Sequence, residues 1–412
     1  MKKSKKVLLL LLVAVFSLAM VSNAWGKAAP IELAFSEQDD PNAYDPTWDQ
    51  TIKEFQAKNP GIVVKRSHTE TEGQRTDWMN SVLAGAGPDL ISCPHDNVGV
   101  FGAAGTAMVL DKVFTKSFYA QFSQKDVNDF KYDGKIYGIP YKVGNCLALI
   151  YNKKMIASAP KTMDELIEKA KSLTKAPDQY GLVFDMVEPF FSIPFLGGYE
   201  GRVFDQKGNL TLNTEAMKKM MQLVYDLKNT YKITPKEANT DVANALFKEG
   251  KAAMIINGPW FYNDAAKAGV DFGIARLPKL TGGTWPAPYT GAKVFMINPN
   301  IKNKAKLDAV KKFVTFLNTP AIQVRLAKAS SEFPTNLKAL TDPYVTSDER
   351  MKALADQMKV GTPMPYQPEM RAVWDTVRTV QAEVLGGTTR PEDAPKKMQE
   401  QAANLIKTEF GK

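Results

Sequence analysis

The sequence predicts an α/β protein built as two bodies. Three observations carry that reading. The chain opens β-α-β-α-β, roughly 388 residues follow an N-terminal leader, and no flexible linker divides the halves. A chain of that length exceeds one ordinary domain. Without a linker, it is expected to cross between the bodies more than once.

The leader comes first. Lys2, Lys3, Lys5 and Lys6 precede an apolar run, Val7 to Val21, broken only by Ser17, and Ser22-Asn23-Ala24 follows. A basic start, a short apolar core and small residues at the cut describe a secretory signal peptide over 1–24. The core is short of the about 20 apolar residues that span a membrane. No cysteine follows the cut, so lipid attachment is not expected. The mature chain is expected to start at Trp25 in the periplasm.

Ile31 to Phe35 is an apolar run suited to a buried strand, and Ser36 to Pro46 is a polar loop containing proline. Trp48, Ile52 and Phe55 recur at helical spacing, and Asn59-Pro60-Gly61 stops that helix. Ile62 to Val64 starts a second strand. Gly85 to Pro88 turns into a third, Leu90-Ile91, which runs toward Cys93. In such a doubly wound opening, ligands sit beyond the carboxyl ends of the strands.

Asp133-Gly134 between Tyr132 and Ile136 is a hairpin signal. Leu147 to Tyr151 reads as a strand. Thr162 and Glu165 have capping-box spacing at a helix start. Met217, Met220, Val224 and Leu227 form one helical face, which is core material. Ala252 to Ile256 reads as a buried strand ending at Asn257-Gly258-Pro259-Trp260. The last third reads as mostly helical: Ala309 to Leu317, Ile322 to Ala327 and Val373 to Leu385.

Composition excludes several classes of function. Beyond the leader, 49 basic residues stand against 44 acidic ones, spread without a block, so no nucleic-acid or membrane patch is expected. Two histidines, His68 and His95, and two cysteines, Cys93 and Cys146, are too few for a metal centre, and no cofactor is expected. The cysteines are either one bridge or two small buried hydrophobes. Gly85-Ala86-Gly87 runs straight into Pro88 and lacks the third glycine of a dinucleotide loop. No Gly-x-Ser-x-Gly elbow and no phosphate-binding Gly-Lys-Ser/Thr loop occurs. His95 beside Asp96 has no nucleophile tied to it. No catalytic residue is assigned, and the chain is read as a binder, not an enzyme.

Polar groups and aromatic rings stand instead at strand ends. Asp96 follows the third strand, Glu188-Pro189-Phe190 follows the run Leu182 to Phe184, and Trp260 follows another strand. Trp374 and Arg378 lie one helical turn apart. Carboxylates and guanidinium groups bond paired hydroxyls in a bidentate way. Aromatic faces stack on sugar C–H faces. The set points to a carbohydrate.

At these residues the sequence resembles the periplasmic maltose/maltodextrin-binding proteins, within the family-1 extracellular solute-binding proteins of ABC importers. The resemblance rests on Phe247 to Trp260 (FKEGKAAMIINGPW), Gly87-Pro88-Asp89-Leu90-Ile91 with His95-Asp96, Leu149 to Lys153 (LIYNK), Glu188-Pro189-Phe190, and Pro368-Glu369-Met370 with Trp374 and Arg378. It runs from about Ile31 to the C-terminus. It implies a two-lobed type II periplasmic-binding-protein fold with several hinge crossings. The implied lobes are 25–143 plus 293–342 and 144–292 plus 343–412. It further implies a monomer that binds a maltose- or maltodextrin-like sugar and hands it to an inner-membrane permease and its ATPase.

By the same resemblance, Asp96 and Glu188 accept sugar hydroxyls, Phe190, Trp260 and Trp374 form a stacking wall, and Arg378 donates. Asp39 and Asp40 fall near a further sugar-binding loop. Cys93, Asn97, Asn145 and Asp375 stand where the maltose proteins carry a tryptophan, an arginine, a glutamate and an aromatic residue, and Asn97, Asn145 and Asp375 are expected to contact the sugar from those positions. Those changes leave a different glycoside, such as trehalose, as an alternative. The alignment also places Cys93 and Cys146 near the hinge, where they would face each other. The rival from another class is a secreted glycoside hydrolase with Asp96 and Glu188 as its acid pair. Scarce histidine argues against a transition-metal ligand.

Overall fold

A computed structural model describes residues 29–39 and 41–411, so the leader and Asp40 lie outside the described residues. The strands are β1 (Ile31–Glu37), β2 (Ile62–His68), β3 (Leu90–Pro94), β4 (Lys131–Tyr132), β5 (Lys135–Ile136), β6 (Ile139–Asn145), β7 (Ala148–Asn152), β8 (Tyr180–Val183), β9 (Ala252–Asn257), β10 (Phe272–Ala275), β11 (Tyr289–Ile297), β12 (Phe333–Pro334) and β13 (Thr362–Pro363). They form two main sheets, each wrapped by helices, in a two-lobed α/β fold.

The first sheet runs β12-β6-β11-β3-β1-β2, with β13 pairing β11, and the second runs β10-β7-β9-β8. The predicted opening is present: β1 pairs in parallel with both β2 and β3. Leu33 and Phe35 point from β1 toward the core under the helices Pro41–Lys58 and Lys304–Leu317, where Trp48, Phe55 and Phe313 are fully buried. Trp78 and Val82, on the helix Thr71–Leu83, pack with Ile91 and Cys93 in a second cluster. Leu149, Leu182 and Met254 of the second sheet share a core with the predicted methionine face of the helix Glu215–Tyr225.

Two expectations are corrected. The helix begins at Pro41, inside the predicted loop, and carries Pro46 within it. Proline at a first turn loses no helical bond. Tyr44 and Trp48, four residues apart, are both fully buried, so packing outweighs the interruption at Pro46. The last third is also not simply helical. It contains β11, antiparallel to both β3 and β6 at the centre of the first sheet. Nearly every residue of β11 is buried, so it lacks the alternation that marks a half-exposed strand.

Local signals elsewhere match the structure. Asp133 and Gly134 adopt the left-handed conformation in the β4-β5 turn. Thr162 Oγ1 accepts from the Glu165 N–H at 3.2 Å, while the Glu165 carboxylate accepts from the Lys161 N–H at 2.7 Å.

Charge is buried where the first sheet meets the crossings. Lys142, on β6, is 1 % exposed. Its Nζ lies 3.0 Å from Asp39 Oδ1 and 2.9 Å from Glu332 Oε2, and donates to Tyr44 Oη at 2.5 Å. Lys293, on β11, reaches the same Asp39 oxygen at 3.1 Å, and Trp48 Nε1 donates to Asp39 Oδ2 at 3.2 Å. Burial acts to raise the Asp39 carboxyl, but Lys142 and Lys293 together hold it well below the usual carboxylate range.

Removing Lys142 leaves two carboxylates buried without their shared cation. Lys142→Met is therefore expected to destabilise the protein by about 3 kcal/mol, read from urea unfolding. Because the Asp39 pKa is depressed by folding, its contribution is complete above pH 3.8, its unfolded reference, and is lost as pH falls below that. Asp39→Asn is expected to flatten that acid slope of stability.

Candidate functional site

The site forms where strand ends of the first lobe face a helix of the second. Asp96 follows β3 and precedes the short helix Asn97–Ala103. Its Oδ2 accepts from Arg75 Nη2 at 3.2 Å and from Trp374 Nε1 at 3.3 Å, while its Oδ1 is buried with no hydrogen bond. Asp96 thus keeps one acceptor oxygen uncommitted beside the seam between the lobes. Arg75 was not anticipated. It belongs to the helix Thr71–Leu83, and its aim is set by Asn97, whose Oδ1 accepts from Arg75 Nε at 2.6 Å.

That geometry corrects the role assigned to Asn97. Its amide also donates to the Pro94 carbonyl at 3.0 Å, and the residue is 2 % exposed. Both ends of the side chain are committed within its own lobe, so Asn97 orients Arg75. His95 is likewise structural. Its Nδ1 accepts from the Ala292 N–H at 3.2 Å, and burial pushes the imidazole below its ordinary pKa, keeping it neutral.

From the second lobe, Glu188 opens the single turn Pro189–Phe191 and accepts from the Phe190 N–H at 3.3 Å. Arg378 on the helix Met370–Gly386 donates to Glu188 Oε2 from Nη2 at 2.8 Å and from Nε at 3.3 Å. Burial raises the Glu188 carboxyl, and Arg378 pulls the other way. The loop is held from behind. Asp185 Oδ1 accepts from the Val187 and Glu188 N–H groups at 2.8 and 2.9 Å, and its Oδ2 accepts from Thr240 Oγ1 at 2.6 Å. Gln381 donates to the Met186 carbonyl at 2.6 Å and accepts from Ser192 Oγ at 2.6 Å. It ties the helix carrying Trp374 and Arg378 to the loop carrying Glu188.

Phe190 and Trp260 are half-buried, with ring centroids 6.3 Å apart and planes at 48°. Trp260 lies in the turn Pro259–Phe261 after β9. Its indole folds back over Gly258, where a Cβ would stand 2.0 Å from the ring. This accounts for the glycine in Asn257-Gly258-Pro259-Trp260. Trp374 differs from expectation as a stacking wall. It is 5 % exposed and packs edge-on against Tyr289, with centroids 6.0 Å apart, presenting its N–H to Asp96.

Asp375 pairs with Arg371 at 2.9 Å and Arg378 at 3.3 Å. Asn145 ends β6 opposite Gly291, half-buried at a crossing between the sheets. Asp39 belongs to the buried cation cluster on β6 and β11, and its Oδ1 is occupied by two lysines.

Cys93 and Cys146 are not bridged; both are free and buried. Cys93 Sγ lies 3.6 Å from Met296 Sδ. Strand β11 separates β3 from β6, which puts the strands two spacings, about 9.6 Å, apart, and a bridge needs Cα atoms within about 7 Å. Burial pushes the Cys146 thiol up to about 12 and raises Cys93 still further, so both are inert.

Among the described residues no group of three or more His, Cys, Asp or Glu side chains is placed to hold a metal, and no helix is long and apolar enough to cross a membrane. Two helix-wrapped sheets, a carboxylate beyond a strand of each and an aromatic pair on the second define a two-lobed solute-binding fold. The chain belongs to the bacterial extracellular solute-binding proteins, whose family model matches residues 50–353. It is similar to the maltotriose-binding protein of Pyrococcus abyssi, with 29% identity over 76% of this chain and 70% of that protein. The galactooligosaccharide-binding protein of Bacillus subtilis is 26% identical over 79% of this chain and 78% of that protein. Among solved structures, the maltose/maltodextrin-binding domain MalE from Bdellovibrio bacteriovorus bound to maltotriose superposes with a TM-score of 0.88. It is 37% identical and covers 92% of this chain and 100% of that one.

Asp185→Ala frees two loop N–H groups and a hydroxyl that folding has desolvated. A loss of about 2 kcal/mol of stability is expected on thermal unfolding, together with weaker sugar binding as Glu188 loses its support.

Proposed function

We propose that the protein is the extracytoplasmic, periplasmic sugar-binding component of an ABC importer. It takes a maltodextrin-like di- or oligosaccharide between its lobes, acts as a monomer, and delivers the sugar to an inner-membrane permease and its ATPase. It performs no chemistry on the sugar. The lobes of this reading are 25–143 plus 293–342 and 144–292 plus 343–412; the end of β6 and the start of β11 lie near the first two boundaries, whereas β13, past the third, still pairs β11 of the first sheet. The observation that carries the reading is the meeting of Asp96 from one sheet and Glu188 from the other along a single helix. Phe190 and Trp260 stand nearby as ring surfaces. Sugar hydroxyls bond to such arginine-oriented carboxylates, and sugar faces cover such rings.

In this reading the sugar enters an open cleft, and closure adds the second lobe's contacts. The closed population rises by as much as those contacts favour it. Asp96 keeps Oδ1 for a hydroxyl, and Arg378 supplies donors that Glu188 and Asp375 have already oriented. A second reading keeps the mechanism and changes the sugar. Cys93 stands where the maltose proteins carry a tryptophan, and Asp375, paired with Arg371 and Arg378, where they carry an aromatic residue. The site therefore has fewer rings and a different set of charges, which fits another glycoside such as trehalose or a galactooligosaccharide.

Calorimetric titration with maltotriose, trehalose and a galactooligosaccharide separates these readings. Saturable binding of maltotriose is expected, and its absence alongside binding of another sugar transfers the assignment. Trp260→Ala is expected to weaken maltotriose binding by about tenfold or more, from lost ring contact, while the thermal midpoint holds. Unchanged affinity in a folded variant refutes a stacking role. Prolonged incubation with oligosaccharides is expected to yield no cleavage products; turnover moves the protein to the hydrolase reading.

A further inference from the structure

One set of contacts crosses between the lobes through two residues outside the sugar-contacting set, Glu72 and Arg371. Arg371, Asp375 and Arg378 fall at i, i+4 and i+7 on the helix Met370–Gly386, forming one charged stripe. Opposite them stand Glu72 and Arg75, in the first turns of the helix Thr71–Leu83. Glu72 Oε2 accepts from Arg371 Nη1 at 3.0 Å, and Glu72 Oε1 lies 3.4 Å from Arg75 and 3.9 Å from Arg378. A continuous chain of alternating charge therefore runs from Arg75 in the first lobe, through Glu72, to Arg371 and Arg378 in the second, and ends on Glu188.

A cavity of about 470 Å³ lies beside the bridge, bounded by Met79, Val100 and Phe410 as well as Arg75, Arg371 and Asp375. Burial acts to raise the Glu72 carboxyl, yet Arg75, Arg378 and Arg371 together hold it below its ordinary value. It is an anion throughout the neutral range.

The geometry points to Glu72 and Arg371 as an interlobe latch, a pair of positioning residues that hold the lobes closed and fix Arg378 for the ligand without contacting it. The bridge forms only when the lobes approach, so its free energy adds to closure independently of the ligand. A neutral sugar carries no charge for salt to screen. Any dependence of its affinity on ionic strength then reports protein charges brought together by closure. The affinity arm of the test rests on the sugar-binding reading above; the scattering arm does not.

Glu72→Ala, Arg371→Ala and the double variant are compared with the unaltered protein. Circular dichroism first confirms that each is folded. Each single variant is expected to weaken maltotriose binding about threefold to fivefold, the scale of a partly exposed ion pair, with the double variant no weaker than either. Raising salt to about 0.5 M is expected to weaken the unaltered protein similarly and leave the double variant unmoved. Additive losses, or equal salt dependence in both proteins, overturn the latch. Small-angle scattering of the sugar-free proteins supplies the independent readout. The double variant is expected to show a larger radius of gyration than the unaltered protein at low salt, and identical radii at low and high salt overturn the proposal. If the unaltered protein ignores maltotriose, the sugar assignment fails, and the scattering comparison still decides the latch.

Discussion

Insertion of β11 between β3 and β6 is the constraint on which the site depends. Strand β6 leads almost directly into β7 of the second sheet, and β11 returns from β10 of that sheet. The two are antiparallel neighbours, so two passages of chain between the lobes lie side by side. The charged knot of Lys142, Lys293, Asp39 and Glu332 ties exactly these strands to the segment before β12. Burying four charges is costly, and an apolar repacking of similar volume is often no less stable. What the knot supplies is direction: a lysine with three donors and two carboxylate partners accepts one arrangement of β6 and its neighbours, whereas methylenes accept several.

With the passages set, each lobe delivers its part of the site by a short turn after a strand. Asp96 follows β3 and Trp260 follows β9, and Glu188 lies five residues beyond β8. Strand ends anchored in a sheet move little, and the turns are braced by their own hydrogen bonds, those of Asp185 above all. The helix Met370–Gly386 is the common floor. Its apolar face, Trp374 included, is built into the second core, so Trp374 and Arg378 are presented without freedom to turn.

Legibility in the sequence followed the range of the interaction concerned. Local signals were readable: the opening strands and helices, the Asp133-Gly134 turn, the Thr162 cap and the methionine face. Each depends on neighbours within a few residues. Strand β11 was not, because burial on both faces erases the period of two that identifies strands. The helix start at Pro41 was hidden for a related reason: its justification is the sheet that Tyr44 and Trp48 cover. In the site, Asp96 and Glu188 were legible as polar groups after strands and Arg378 as a helical residue one turn from Trp374, and the structure brings them to one seam. Arg75, Glu72 and Arg371 were not, since an arginine or glutamate on a helix reads as a solvated face until the opposing lobe is known. Asn97 was misread because standing at the position of an arginine in similar proteins says nothing about where a shorter amide points.

The pairing of arginine with carboxylate at both grips has a consequence for binding. A bare buried carboxylate would be raised in pKa and partly protonated, turning an acceptor into a donor. Arg378 opposes that change at Glu188, and the two arginines each occupy a single carboxylate oxygen, Asp96 Oδ2 and Glu188 Oε2. Asp96 Oδ1 is left without a partner and Glu188 Oε1 is held by the Phe190 N–H, so both carboxylates are oriented before any ligand arrives and little reorganisation is left for the moment of binding. The same arginines are the links of the charge chain across the seam. Orientation of the grips and approach of the lobes are therefore one electrostatic arrangement, and a change in either alters the other.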